Sequence, residues 1–263
     1  MMEGDFKKYA IYVEKSKLSI ESVKRTILSA KEIGGLEVEA WKGHDRYECK
    51  DLRKKYPFKI LDKKEIWDRF CYFESTIACF FSHFSLWKKC VETKEKIMIM
   101  EHDTIFTDRY VDFDFEGVIT IGKPLWGVGP NNDIRELVDQ KGDVELLKWD
   151  CSCTELPSLE HSPYDCSNFK CNSWCLKGAH AYIITPITAE KLIAKSYDLG
   201  IVPADNHINR YNIEIAETQP SFAYQDARFS LVTRHISMMD KGLNINYQED
   251  WVEGEEAWEY ENR

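Results

Sequence analysis

The pattern of apolar and polar residues changes its period twice within the first 45 residues. A short apolar run at Tyr9–Val13 is followed by apolar residues at helical spacing, and that pattern ends at Gly34-Gly35. Leu36–Trp41 then alternates with a period of two, as a half-buried strand does. The sequence therefore predicts strand, helix and strand, with the helix marked by Ile20, Val23, Ile27, Leu28 and Ile33.

A longer helical pattern runs from about Glu74 to Lys94 and leads directly into a second apolar run, Ile97–Met100. Four consecutive apolar residues predict a strand that is buried on both faces. Strands that alternate with helices in this order are typical of a parallel sheet with helical crossovers. We expect the helix to face the core through Ile77, Phe80, Phe81, Phe84, Trp87 and Val91.

The second half of the chain is less regular. Val118–Ile121 and Ala179–Thr185 are predicted strands, and a helix is predicted to begin near Pro186, where the missing N–H of proline costs nothing. Residues 127–177 show no clear period and are interpreted as a long irregular insert. We predict one α/β domain over residues 1–248, followed by an acidic, aromatic tail at 249–263.

Composition narrows the possible partners. The chain of 263 residues has a net charge of −10, of which residues 249–263 carry −6. An acidic protein is a poor match for nucleic acid or an anionic membrane surface. The polar start at Met1–Lys8 does not resemble a signal peptide, and no apolar run reaches the roughly 20 residues of a membrane span. We therefore expect a soluble, cytoplasmic protein whose cysteines are mostly thiols.

Two carboxylates, Glu101 and Asp103, follow the second apolar run directly. Burying an unpaired carboxylate is costly, so we expect both to lie at the exposed carboxyl end of the strand. Ligands bind at that edge in open α/β sheets, and oxygen ligands suit Mg²⁺ or Mn²⁺ bound to phosphate. The alternative is an acidic turn without a ligand. Neither a dinucleotide-binding glycine motif nor a P-loop is present.

The helix at 74–94 contains Ser82-His83, and a lone histidine on such a helix is often only a satisfied core residue. The combined pattern of this helix and the following strand, however, resembles glycosyltransferase family 25. That family shows Cys, two variable residues, Ser-His, an apolar-Trp-Lys helix and a strand ending in Glu-Asp-Asp. The matching residues are Cys79, Ser82, His83, Trp87, Glu101 and Asp103, while His102 replaces the usual central Asp.

Weaker similarity extends over most of residues 9–230. Gly178–Thr185 and the following Ala189-Glu-Lys-Leu192 resemble the family's Gly-x-x-Ala-Tyr strand and its helix. Val202–Asp205 resembles its Pro-Val-Asp segment, and Pro220 through Gln225 to Ser230 resembles a late Pro–Gln–Ser pattern.

The resemblance implies a GT-A-like fold, a Rossmann-type, mostly parallel sheet flanked by helices. It implies transfer of a sugar, with a galactose-like hexose as the first guess, from a UDP-sugar to a hydroxyl of a glycan, lipo-oligosaccharide or protein. Mn²⁺ or Mg²⁺ would compensate the diphosphate, with Asp103 as a direct ligand and Glu101 in support. The resemblance further implies donor-binding roles for Ser82, His83, Glu101 and Tyr182.

Two further residues have open roles. Asp205 is our candidate for the base that takes the proton of the acceptor hydroxyl, although it could instead be the N-cap of a helix. His235 is a candidate third metal ligand, and the alternative is a surface histidine.

Five cysteines lie within 25 residues of the insert, with His161 among them: Cys151, Cys153, Cys166, Cys171 and Cys175. They could bind a structural Zn²⁺, although their spacing is unusual, and free thiols or disulfides are the alternatives. Besides an active transferase, the sequence thus allows a catalytically degenerate, glycosyltransferase-like binding protein, favoured by His102, or a zinc-stapled interaction module.

Overall fold

The computed structural model describes residues 6–60, 73–123, 145–148, 176, 178–209 and 213–226. The strands of this part are β1 (Lys7–Tyr12), β2 (Glu39–Lys42), β3 (Ile97–Glu101), β4 (Thr104–Phe106), β5 (Val118–Thr120), β6 (Gly122–Lys123), β7 (Glu145–Lys148), β8 (Ala181–Ile184), β9 (Ile215–Gln219) and β10 (Ala223–Gln225). The helices are α1 (Lys17–Glu32), α2 (Cys49–Lys55), α3 (Phe73–Thr93), α4 (Pro186–Leu199) and α5 (Ala204–His207).

The main sheet has the strand order β2-β1-β3-β8-β5-β9-β7. Parallel pairing joins β1 to β2, β1 to β3 and β5 to β9, while β8 is antiparallel to both of its neighbours and β7 is antiparallel to β9. Most strands therefore run in one direction, and β8 and β7 run in the other. The fold is the predicted α/β arrangement, GT-A-like, with a mostly parallel sheet flanked by helices.

The predicted β-α-β opening is confirmed. Helix α1 begins after Ser16, whose side chain accepts a hydrogen bond from the backbone N–H of Ser19 at 3.2 Å, a standard N-cap. Strand β2 is shorter than the predicted Leu36–Trp41. The reason is that the N–H of Leu36 still bonds to the carbonyl of Ala30, so this part of the chain closes the helix before it extends.

The long helix α3 and strand β3 form the centre of the core. The side chains of Ile77, Phe80, Phe81, Phe84 and Trp87 are buried as predicted, whereas Val91 is only partly buried. Strand β3 has Ile97, Met98, Ile99 and Met100 at 0 % exposure, which confirms burial on both faces. Helix α3 packs against α4, and aromatic rings fill the space beneath it. This packing fixes the position of every side chain that α3 directs toward the end of β3.

The insert is not wholly irregular, contrary to prediction. Residues 145–148 form strand β7, which pairs with β9 at the edge of the main sheet. Strands β4, β10 and β6 form a second, three-stranded sheet beyond the end of β3.

Three of the predictions concern residues outside the described part of the chain: the candidate zinc residues Cys151–Cys175, the candidate ligand His235 and the tail at 249–263. In the described part, no helix combines the length and apolar character that crossing a membrane requires.

Candidate active site

The turn between β3 and β4 carries Glu101, His102 and Asp103. Two hydroxyl groups of α1 hold it: Ser22 Oγ and Thr26 Oγ1 donate to the carbonyl of His102 at 2.7 and 2.6 Å. The carboxylates were expected at an exposed edge, and for Asp103 this is wrong, because it is 1 % exposed. Glu101 keeps 22 % of its side chain exposed.

The second sheet explains the burial of Asp103. Strand β10 covers it, with Gln225 Nε2 donating to Asp103 Oδ2 at 3.0 Å and the N–H of Asp226 donating to the carbonyl of Asp103 at 2.7 Å. The other carboxylate oxygen, Oδ1, is buried and has no hydrogen-bond partner among the described residues. Burial, followed by the charge of Glu101, raises the pKa of Asp103 to about 8. The site therefore holds a carboxyl group that needs a proton or a cation.

Glu101 has the opposite environment. Its Oε1 lies 3.1 Å from His83 Nε2 and 3.5 Å from Cys79 Sγ. Burial raises the pKa of Glu101, but opposing contributions, led by the hydrogen bond from His83, lower it to about 2. Two carboxyl groups separated by one residue thus have pKa values pushed in opposite directions, an arrangement that divides acid and base roles in many enzymes.

A buried hydrogen-bond chain lies behind Glu101. His83 Nδ1 is 2.9 Å from the hydroxyl of Tyr182, and Trp87 Nε1 donates to the same hydroxyl at 3.0 Å. All three side chains are 0 % exposed. Burial raises the pKa of Tyr182, so its hydroxyl stays protonated at neutral pH. His83 and Tyr182 are two of the four predicted donor-binding residues. Both lie behind Glu101, but neither has exposed surface that a ligand could touch.

Ser82, the third of these residues, also faces inward at 2 % exposure. Its Oγ donates to the carbonyl of Ala78 and accepts from the N–H of His44, both at 2.8 Å. It thereby holds the loop after β2. A Cβ on Gly43 would lie 2.9 Å from Ser82 Oγ and 2.8 Å from Ile11 Cγ2, so only glycine fits there without movement.

Asp205, distant in sequence, lies near the same group of side chains. It is the second residue of α5, and its N-cap is Pro203, so the alternative N-cap role is wrong. Its Oδ1 accepts a hydrogen bond from the N–H of the adjacent Asn206 at 3.0 Å. Burial, followed by the charge of Glu101, raises the pKa of Asp205 to about 6.

The thiol of Cys79 lies close enough to three carboxylates for their charges to act on it. Burial raises its pKa, and the charges of Glu101, Asp205 and Asp103 raise it further. We call Glu101, Asp103 and Asp205 the carboxylate cluster. The ligand atoms of Cys79, His83 and Glu101 also lie within 4.8 Å of one another, so nitrogen, sulfur and oxygen donors suitable for a metal ion are close together.

Sequence reasoning missed three residues of this region. Gln225 was noted in a pattern but not as the partner of Asp103, and Asp226 was not noted, although its charge contributes to the raised pKa of Asp103. His180 is fully buried, and neither ring nitrogen has a hydrogen-bond partner among the described residues. Burial lowers its pKa to about 4, which keeps the ring neutral. The available signal was position alone, since His180 lies just before a buried strand.

Comparison with known proteins agrees with this geometry. The model of glycosyltransferase family 25, described as an LPS biosynthesis protein family, matches residues 73–208, which is just over half of the chain. The matched range contains α3, Glu101, Asp103, Tyr182 and Asp205. A comparison with curated proteins finds no match. On the strength of the family match, the chain belongs to glycosyltransferase family 25 and is a glycosyltransferase.

Proposed function

We propose that the protein transfers a hexose from a UDP-sugar to a hydroxyl group of a glycan, lipo-oligosaccharide or protein, and that transfer depends on Mn²⁺ or Mg²⁺. The observation that carries the proposal is the buried Oδ1 of Asp103, which has no hydrogen-bond partner among the described residues. An unpaired carboxylate oxygen in such a place is strongly disfavoured unless a proton or cation joins it.

The residues fit a divalent cation that accepts oxygen ligands. Asp103 would bind it directly, and Glu101, whose pKa is lowered to about 2, would remain ionised beside it. When bound, the cation compensates the charge that grows on the diphosphate leaving group. The chain itself supplies the shape: β10 covers Asp103, and hydroxyl groups of α1 hold the turn.

Asp205 is the proposed base for the acceptor. As the acceptor oxygen bonds to the sugar carbon, the bond between that carbon and the diphosphate breaks, and the hydroxyl proton passes to Asp205. A carboxylate with a pKa of about 6 is a better base than an ordinary one, and it is still largely ionised at neutral pH.

A second candidate function is a binding protein that has lost turnover, and the observation that favours it is His102. This residue stands where the family usually has a carboxylate, and it is 9 % exposed. An active enzyme can nevertheless tolerate this substitution. The turn is held through the backbone carbonyl of His102, which any residue provides. A substitution of this kind alters the charge of the turn more than its shape.

The test is isothermal titration calorimetry with UDP-galactose, with and without Mn²⁺, followed by measurement of UDP release. We expect binding that requires Mn²⁺, loss of that requirement or of binding in Asp103→Asn, and a smaller loss in Glu101→Gln. Asp198→Asn is a matched control for the loss of a carboxylate, because that side chain is 69 % exposed and lies 3.8 Å from Lys195 Nζ, a surface residue of the same helix α4. Metal-dependent binding without UDP release, alone or with added glycan acceptors, would favour the binding protein. Unchanged Mn²⁺ dependence in Asp103→Asn would refute the metal site.

A further inference from the structure

We infer that Tyr182, oriented by Trp87, is a positioning residue that fixes the tautomer of His83 and, through it, the carboxylate of Glu101. The inference deepens the proposed function and rests on it for its catalytic meaning. The underlying hydrogen-bond directions, however, follow from the side chains alone.

The direction of each hydrogen bond follows from which groups can donate. The indole N–H of Trp87 can only donate, and it points at the hydroxyl of Tyr182 at 3.0 Å. That hydroxyl has one proton, and its other partner among the residues that the structure describes is His83 Nδ1 at 2.9 Å. The proton therefore goes to Nδ1, which acts as the acceptor.

A neutral imidazole that accepts at Nδ1 carries its proton on Nε2. In His83 this nitrogen lies 3.1 Å from Oε1 of Glu101, so the N–H faces the carboxylate. The opposite tautomer would direct a nitrogen lone pair at a carboxylate and leave the hydroxyl proton of Tyr182 without an acceptor. Because the side chains of His83 and Tyr182 are both 0 % exposed, both faults are costly.

Burial restricts Tyr182 to this indirect role. Its ring is 0 % exposed and lies against the imidazole of His83, with centroids 5.7 Å apart and planes at 22°. A side chain without accessible surface cannot touch a donor sugar. Its influence reaches the site through Glu101, the one member of the chain of hydrogen bonds with exposed surface.

The same arrangement leaves one oxygen of Glu101 for a ligand. The hydrogen bonds from His83 and Cys79 both end on Oε1. Oε1 is therefore held from inside the protein, and within the described part of the chain Oε2 is the oxygen that remains for a cation or donor. Loss of the Tyr182 hydroxyl would loosen His83 and let the carboxylate turn. Residues that hold a metal-binding side chain in this way typically change metal affinity or activity about 10- to 100-fold when mutated.

The functional test compares two Tyr→Phe variants that each remove one buried hydroxyl. Tyr182→Phe breaks the chain, whereas Tyr110→Phe removes a hydroxyl that bonds to Asp112 at 2.9 Å in another part of the fold. We expect both variants to unfold at a lower temperature. Only Tyr182→Phe should weaken Mn²⁺-dependent binding of UDP-galactose, by about 10- to 100-fold, measured below both transitions. Equal effects within about twofold would overturn the inference, because buried hydroxyls would then matter only for stability.

A second pair of variants covers failure of Tyr182→Phe to fold. His83→Gln keeps an amide N–H for Glu101 and a carbonyl that can accept from Tyr182, whereas His83→Leu keeps neither. We expect His83→Gln to retain more Mn²⁺-dependent binding than His83→Leu by about tenfold or more. Equal loss in the two variants would overturn the positioning role.

A spectroscopic readout separates this inference from the proposed function. Long-range ¹H–¹⁵N correlation of the metal-free wild-type protein, with His83 assigned by its substitution, reports which ring nitrogen carries the proton. We expect a protonated Nε2 and an accepting Nδ1 near neutral pH. A proton on Nδ1 would overturn the inference, whether or not donor binds. If wild-type protein failed to bind UDP-galactose with Mn²⁺ while Nε2 carried the proton, the proposed function would fail and the hydrogen-bond directions would stand.

Discussion

Replacing Asp103 with asparagine should stabilise the metal-free protein at neutral pH while removing the proposed cation ligand. The carboxyl group is 1 % exposed, and its pKa is raised to about 8 by burial and by the charge of Glu101. In the unfolded chain its pKa is near the ordinary value of 3.8. Between these two values the folded protein binds a proton that the unfolded chain does not, so stability rises as the pH falls through this window.

The size of the effect follows from the two pKa values. Each unit corresponds to about 1.4 kcal/mol, so folding at about pH 7 loses about 4 kcal/mol to protonation of Asp103. An asparagine avoids that loss and can still accept from Gln225, but its own N–H donors lack an acceptor, which costs about 1–3 kcal/mol. The net expectation at about pH 7 is a gain of about 1–3 kcal/mol.

The assay is thermal unfolding of metal-free wild type and Asp103→Asn at about pH 7 and about pH 5. The cost of the unpaired N–H groups of asparagine is the same at both pH values. The change in the stability difference between the two pH values therefore reports only the protonation of Asp103. The advantage of the variant should shrink by about 3 kcal/mol on going to the lower pH, at roughly 2–4 °C per kcal/mol for a domain of this size. Asp198→Asn, the exposed control, should stay within about 0.5 kcal/mol of wild type at both. If Asp103→Asn were destabilised equally at the two pH values, the carboxyl group would be ionised and paired in the fold, and the reasoning would be refuted.

Three further variants test other parts of the structure. Asp205→Asn should keep UDP-galactose affinity and lower the initial rate of transfer by about 10²–10⁴-fold; joint loss of donor binding would place Asp205 at the donor instead. Gly43→Ala should lower stability by about 1–3 kcal/mol in thermal unfolding, because its Cβ would crowd Ile11 and Ser82; an unchanged midpoint would mean that the loop shifts freely. Phe80→Ala, at a fully buried ring, should lower the unfolding free energy in urea by about 3–5 kcal/mol, and a loss below about 1 kcal/mol would show that the core refills the space.

The sequence predicted those parts of the fold in which periodicity and burial are local. Helix α3 and strand β3 have long, uninterrupted patterns, and each predicted end of these elements lies within one residue of the observed end. The direction of β8 could not be predicted, since a strand buried on both faces has the same pattern whichever way it runs. Strand β7 was missed because its four residues sit in a polar context, and its pairing with β9 is long-range.

The site likewise has a part that the sequence predicts and a part that it does not. Glu101 and Asp103 were found because acids directly after an apolar run are conspicuous in any single segment. The burial of Asp103 was not predictable, since the strand that covers it lies more than a hundred residues later, and Gln225 reaches it across 122 positions. The roles of His83 and Tyr182 were likewise hidden, because hydrogen-bond direction depends on the three-dimensional pairing of donors and acceptors.

The interleaving of the sheets has a consequence for fragment design. The segment matched by the family model, 73–208, contains β3, β4 and β5, yet β1 pairs with β3 from before that segment, and β9 and β10 pair with β5 and β4 from after it. A fragment cut at the match boundaries would leave β3, β4 and β5 each without a strand that pairs with it, and such open edges are templates for aggregation. It would also lack Gln225. Truncation series and limited proteolysis should therefore find no autonomous unit shorter than the span from β1 to β10, even though the family match covers only about three-fifths of that length.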